Sequence, residues 1–500
     1  MKNKKHVSKK WLLRTCLVVL PLQIFAANHE EKHKPNILFV VADDMGREVG
    51  CYGDKVAVTP NIDKFAAAAH RFENAYVTAA SCSPSRSSIL TGLYPQQNGQ
   101  LGLAHLKFQM YEKFMSIPTF LQERGYFTGI IGKLHVAPQA AFKFNYQCGG
   151  FDTPYKKGAS VMVSEPRKII DEDWNEKMDV EKFTRMVKDV KDTTASFIRQ
   201  SGDQPFFLML NLLDPHLPFF HQVDGYPEKP LRPQDVKFMD YLPEDYKTAK
   251  NLNRVAGYYN GCTRADAAFG RVIEHLKAIG EYDNTLIVFL GDHGAPFPRA
   301  KTTNYEAGLK VPFIVKFPNQ KDASVRDEFV STVDLFPTVL DVIDAESGAD
   351  LPGKSIKEKM QNGHEEAFGD YNFHGWERPD PKRSISTPRY KLVHHLFANE
   401  YHEKLRDYEA SDFKDKNGIF GRKSLEEYEL FDLKNDPREW NNLADDLKHK
   451  TVFEELKSRL YQWQLNTDDI YLQEAKRKEF CELIEGMIKK ELNPTSNEEK

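Results

Sequence analysis

The 500-residue chain has little cysteine: six residues, at Cys16, Cys51, Cys82, Cys148, Cys262 and Cys481. They are widely spaced and form no Cys-x-x-Cys pair, which argues against a disulfide scaffold and a zinc ribbon. Glycine (29) and proline (27) are not in excess, so collagen-like and low-complexity classes fall away. Neither sign of charge dominates, with 69 basic against 73 acidic residues. Without a basic bias, nucleic acid is not the expected partner. Internal repeats are absent, and no run beyond residue 27 has the length and apolarity of a bilayer span.

The N-terminus carries the first positive signal. Lys2, Lys4, Lys5, Lys9, Lys10 and Arg14 precede an apolar stretch from Cys16 through Leu22 and from Ile24 to Ala27. Small Ala26 and Ala27 close it, as in a secretory signal peptide. The alternative, a membrane anchor, needs a longer run, and Pro21 and Gln23 interrupt this one. Loss of residues 1–27 removes six basic residues and no acidic one, leaving 63 against 73, a charge of −10. An exported, acidic protein is expected, periplasmic or extracellular, with no membrane span after signal removal.

Short apolar runs at 36–42, 127–131, 206–213, 285–290 and 311–317 read as buried parallel strands. Helical patterns lie between them. Thr59-Pro60 reads as a cap followed by a first-turn proline. Phe183, Met186, Val187, Val190, Phe197 and Ile198 mark one amphipathic helix, and 256–279 another that stops at Gly280. This alternation predicts an α/β fold with a mostly parallel sheet covered on both faces. After about residue 375, segments 390–396 and 428–433 alternate like antiparallel strands, and Phe453, Leu456, Leu460 and Trp463 share a helix face. The expected organisation is a catalytic domain over 28–375 and a smaller α+β domain over 376–500.

Titratable residues follow four of the strands: Asp43-Asp44, then Lys133 and His135, then Asp214 and His216, then Asp292-His293. Ligand sites of open α/β sheets lie outside the carboxyl ends of strands. Any one group could be an ordinary loop cap; four together point to a site. Asp43, Asp44 and Asp292 offer the hard oxygen ligands that suit Ca²⁺ or Mg²⁺. His293 fits either as a ligand or as a neighbour that contacts substrate. In Ser81-Cys82-Ser83-Pro84-Ser85-Arg86, Pro84 suits the first turn of a helix, and Gly92 its end. Cys82 then sits at a helix N-terminus with Arg86 on the same face, an arrangement suited to an anion. Read alone, it also fits a capped loop with a buried cysteine.

Cys82-x-Pro84-x-Arg86 followed by Leu90-Thr91-Gly92 resembles the signature of the type I, formylglycine-dependent sulfatases. The stretches NILFVVADD (36–44), TGIIGKLHV (128–136), GDHG (291–294) and KTTNYEAGLKVPFIV (301–315) resemble that family's other segments, in its order. Within the family, the resemblance is to the branch that cleaves N-sulfated glucosamine, carried also by ELFDLKNDPREWNNLADD (429–446). It departs from that branch at His293 and Lys301, where the branch has Asn and Arg.

The resemblance implies an alkaline-phosphatase-like fold and oxidation of Cys82 to Cα-formylglycine by a formylglycine-generating or anaerobic maturating enzyme. It implies one Ca²⁺ bound by Asp43, Asp44, Asp292, His293 and the modified Cys82. A hydroxyl of the hydrated aldehyde attacks sulfur, with Arg86, Lys133 and Lys301 against the sulfuryl oxygens. His216 is the acid for the leaving group, and His135 deprotonates the second hydroxyl to release sulfate. His105, His374, Trp376, Arg383, His394 and His395 are further candidates for reading the sugar. The expected activity is sulfate release from glycosaminoglycan sugars, N-sulfated glucosamine first, O-sulfated sugars as the alternative. Two other readings are a two-zinc phosphatase, against which the Cys-Ser-Pro-Ser-Arg sequence argues, and a glycan-binding pseudoenzyme.

Overall fold

The run Asn36–Asp43 is buried at all its positions because it has a parallel neighbour on each side. Its alternate residues serve two cores: Leu38, Val40 and Ala42 enter one cluster, and Ile37, Phe39 and Val41 the other. That is the two-residue period of a strand covered on both faces. The computed structural model describes residues 34–111, 114–148, 167–179, 189–374, 381–396 and 426–492, and from Pro35 they form one compact unit. The stretch 1–27, with Cys16, lies outside the described residues, as do Phe183, Met186, Val187 and Trp376.

The described strands are β1 (Asn36–Asp43), β2 (His70–Tyr76), β3 (Phe127–Ile131), β4 (Tyr146–Cys148), β5 (Arg167–Ile170), β6 (Glu176–Asp179), β7 (Phe206–Pro215) and β8 (Gln222–Val223). They continue with β9 (Thr285–Gly291), β10 (Phe313–Lys316), β11 (Ser324–Ser331), β12 (Ala367–Tyr371), β13 (Lys382–Ser386), β14 (Tyr390–His395) and β15 (Tyr428–Asp432). Eight build the central sheet, in the order β11-β2-β10-β9-β1-β7-β3-β4. Strands β12 to β15 form an antiparallel sheet in sequence order, and β6-β5-β8 a small third sheet. The mostly parallel α/β fold with a separate C-terminal antiparallel sheet is therefore as expected.

One strand runs the other way. β10 is antiparallel to both β9 and β2, which corrects the expectation for 311–317. The chain between β9 and β10 carries only a four-residue helix, Glu306–Leu309, and no crossover returning it to the far edge. A strand that starts at the edge where its predecessor ended must be antiparallel to it.

The helix expected from residue 256 starts earlier and spans Ala249–Ala278, with the Thr248 hydroxyl accepting from Asn251 N at its start. The helix after Thr59 spans Pro60–Ala66, but the Thr59 hydroxyl does not cap it; it accepts from Gly50 N instead. The helix expected around Phe453 spans Lys450–Asn466 and buries Leu456, Leu460 and Trp463.

The neighbours β9, β1, β7 and β3 are mutually parallel. Their carboxyl ends therefore meet at one sheet edge. The four polar groups picked out in the sequence follow these four ends.

Candidate active site

Three carboxylates and three cations interlock at that edge. Lys133 Nζ donates to both oxygens of Asp43, at 3.0 and 2.8 Å. Arg86 donates to Asp43 Oδ1 at 3.2 Å and from Nε to Asp292 Oδ2 at 3.0 Å. Lys301 Nζ donates to Asp44 Oδ1 at 2.8 Å. Asp43, Asp44, Asp292 and Arg86 are fully buried, where an unpaired charge is strongly unfavourable. Burial works against the charge on Asp43, yet Lys133, His216 and Arg86 outweigh it and hold the carboxyl well below the usual range. Asp292 goes the other way: burial, with Asp43 nearby, pushes it up to about 7.

Cys82 opens the helix Cys82–Thr91, whose residues are all buried. Helix N-termini carry partial positive charge, and this one is aimed at the acid–base cluster. Cys82 Sγ lies 3.3 Å from His293 Nε2 and 3.5 Å from Lys301 Nζ. Burial raises the thiol, but Lys133, Lys301 and His293 outweigh it and bring it to about 5. Gly92 ends the helix at φ +70°, and a Cβ there would stand 2.8 Å from Phe336 Cβ. Ser85 Oγ donates to the Asp292 carbonyl, tying this helix to the loop after β9.

The loop after β3 begins at Gly132, φ +88°, where a Cβ would fall 2.2 Å from the Asn211 carbonyl. Only glycine lets the loop lie that close to β7, and so brings Lys133 to Asp43. His216 stands after β7 with Nε2 3.8 Å from Asp44 Oδ2 and Nδ1 2.7 Å from the Leu217 carbonyl. Asp214 faces Arg264 at 2.8 Å. His374 Nδ1 is 2.9 Å from Ser81 Oγ, and His105 Nδ1 is 3.0 Å from His135 Nε2. Burial pulls His374 well below its usual pKa, and Lys301, His293, His105 and His135 add to the effect. These imidazoles therefore stand beside the Cys82 cluster.

Of the other expected sugar-reading residues, Trp376 lies outside the described residues, and Arg383, His394 and His395 are engaged elsewhere, which corrects the assignment of these three. Arg383 is fully buried, with its guanidinium held by Asp469 at 2.7 and 2.8 Å and by Asp370 at 2.9 Å. Its donors are spent inside the fold. His395 pairs with Glu429 at 2.9 Å, and His394 stacks on Tyr428. Both line a separate cavity of about 320 Å³ with Lys457 and Arg477.

One participant was not expected. Asn211, buried in β7, accepts from Arg86 Nη1 at 2.6 Å. An asparagine interrupting the apolar run 206–213 was its only signal.

The donor set fits a metal ion. Ligand atoms of Asp43, Asp44 and Asp292 lie within 4.8 Å of one another, as do those of Cys82, Asp292 and His293. Asp44 Oδ2 is buried and has no hydrogen-bond partner, a costly arrangement for a carboxylate oxygen that a cation would relieve. His293 Nδ1 faces its neighbour's carbonyl, Gly294 O, at 2.9 Å, which turns Nε2 toward the carboxylates. Carboxylate oxygens in this number suit a hard divalent cation. No helix among the described residues is long and apolar enough to cross a membrane.

Known proteins share this arrangement of segments. A family model described as "Sulfatase" matches residues 35–345, and one described as "N-sulphoglucosamine sulphohydrolase, C-terminal" matches 291–426. The N-sulphoglucosamine sulphohydrolase of Homo sapiens is 29% identical over 483 residues, 87% of this chain and 90% of its own length. The N-acetylglucosamine-6-O-sulfatase of Bacteroides thetaiotaomicron is 26% identical, with 88% of each chain covered. A solved structure in complex with its substrate D-glucosamine-2-N,6-O-disulfate has the same fold, with a TM-score of 0.64 at 22% identity, over 87% of this chain and 98% of that one.

Proposed function

Because the chain belongs to the sulfatase family, and so hydrolyses sulfate esters or sulfamates, we propose that it removes sulfate from glycosaminoglycan sugars and prefers N-sulfated glucosamine. The observation that carries the reading is the convergence of Arg86, Lys133 and Lys301 with three carboxylates around Cys82. The match to the C-terminal sulphohydrolase model and the human relative support the N-sulfate preference. The 6-O-sulfatase relative favours an O-sulfated sugar as the second reading.

Each buried side chain has a task in this reading. Asp43, Asp44, Asp292 and His293 would hold one Ca²⁺, which when bound supplies positive charge against the sulfuryl oxygens. Cys82, matured to formylglycine by a dedicated enzyme, would supply the nucleophile. Arg86 is locked by Asp43, Asp292 and Asn211 and keeps its charge fixed without reorganisation, the condition for electrostatic stabilisation. Lys133 and Lys301 add positive charge beside Cys82. His216, the most exposed of these groups at 28% of its side chain, would hand a proton to the leaving group. An amine leaving group requires that proton more than a phenolate does. His135 takes the proton whose loss releases sulfate. Export through removal of residues 1–27 belongs to the same reading.

Released sulfate is the test. Mature protein, incubated separately with glucosamine N-sulfate and with N-acetylglucosamine 6-sulfate, is expected to liberate sulfate faster from the first. Release only from the 6-sulfate would replace the preference with the second reading. Release from neither, nor from sulfated disaccharides, would end the proposal.

A further inference from the structure

We propose that His105 is a positioning residue for His135, holding it through a single hydrogen shared between His105 Nδ1 and His135 Nε2. The inference rests on the reading of His135 as the base of a sulfatase site. The two nitrogens are 3.0 Å apart, and the rings lie nearly parallel, 8° between planes and 5.3 Å between centres. Only one hydrogen fits between two ring nitrogens at that distance. One imidazole must donate and the other accept. His105 thereby sets which nitrogen of His135 carries the proton, the property a base depends on.

The surrounding chain is built to keep the pair together. The turn Ala104–Leu106 is pinned to the Cys82 helix, where Ala104 N donates to Ser83 Oγ at 3.0 Å. The loop of His135 is stitched to the same segment on both sides. Ala137 N donates to Gln100 Oε1 at 3.0 Å, and Met110 N donates to the Ala137 carbonyl at 2.7 Å. His135 has φ +50°, a left-handed conformation uncommon outside glycine. Its surroundings must hold it there. His135 is 3% exposed while His105 is exposed to solvent, so His105 is the outer member of the pair.

Three variants and one spectroscopic signal test this. His105→Ala is expected to lower kcat by about tenfold to a hundredfold, the range for losing the outer partner of a functional histidine, with KM little changed. His105→Asn, whose amide occupies the Nδ1 position with a donor and an acceptor, is expected to recover most of that loss. In a His135→Ala background, His105→Ala should cost nothing further, since the partner it acts through is gone. A rise in KM with kcat intact, or independent losses in the double variant, would overturn the proposal. Ring-¹⁵N resonances of His135, assigned with His135→Ala, should change their tautomer signature in His105→Ala and keep it in His105→Asn; resonances unchanged in His105→Ala would also overturn it. This signal does not need turnover. A wild-type protein that releases no sulfate defeats the functional reading alone.

Discussion

Cys82 shows how one residue's chemistry is set by what surrounds it. A buried thiol is ordinarily inert and hard to ionise. Here Lys133, Lys301 and His293 reverse that, bringing it to about 5. Cys51 has the opposite environment: burial and Asp63 push its thiol up to about 12. Among the described residues five cysteines are free and unbridged, yet one of them alone stands among three cations. Cys82→Ala and Cys82→Ser are both expected to abolish sulfate release, and the tryptic peptide of active protein should carry an aldehyde at this position. Full activity in the alanine variant would refute this role.

Among elements, Glu306 is one tie between the two larger sheets. It lies in the short helix Glu306–Leu309 just before β10, and accepts from Lys391 of β14 at 2.9 Å and from Tyr76 of β2 at 3.0 Å. Burial raises its carboxyl, but Lys391 and Lys310 outweigh it and lower it to about 2. A depressed folded pKa stabilises the fold above the unfolded value, about 4.5, and the contribution fades as pH falls toward 2. Up to about 3 kcal/mol is involved. Wild-type melting temperature should therefore fall more steeply between pH 5 and 3 than that of Glu306→Gln. Parallel slopes would show that the pair is not linked to folding.

The elements also show what could be read from the chain in advance. Strand ends that carry Asp43, Lys133, His216 and Asp292 were visible because apolar runs stop abruptly at polar pairs. The reversal of β10 was not, since a run of apolar residues carries no direction; its connection decides that. Arg383 was misread because its partner Asp469 lies 86 residues away, with no local periodicity to announce it. The contact of His105 with His135 was hidden for the same reason: it exists only after two loops meet.

On the scale of the whole molecule, the active-site edge concentrates like charges that the fold must neutralise. Asp43, Asp44 and Asp292 converge, and Asp44 Oδ2 has no hydrogen-bond partner. A cation that binds only the folded arrangement stabilises it by mass action. Adding Ca²⁺ to chelator-treated protein should raise its melting temperature in a concentration-dependent way. The same melting curve with and without Ca²⁺ would remove calcium from the site.

The order β9-β1-β7 has a consequence for the time of synthesis. β1 is made first, but its two neighbours begin only at Phe206 and Thr285. At about 5–20 residues per second, the ribosome needs on the order of ten to thirty seconds to reach the first of them. Through that interval Ile37-Leu38-Phe39-Val40-Val41-Ala42, a segment with neither charge nor proline, has neither neighbour to pair with. Such segments pair readily with copies of themselves. The strand that anchors the active site is therefore also a point where the nascent chain is exposed to aggregation, and where a chaperone that shields emerging chains would matter.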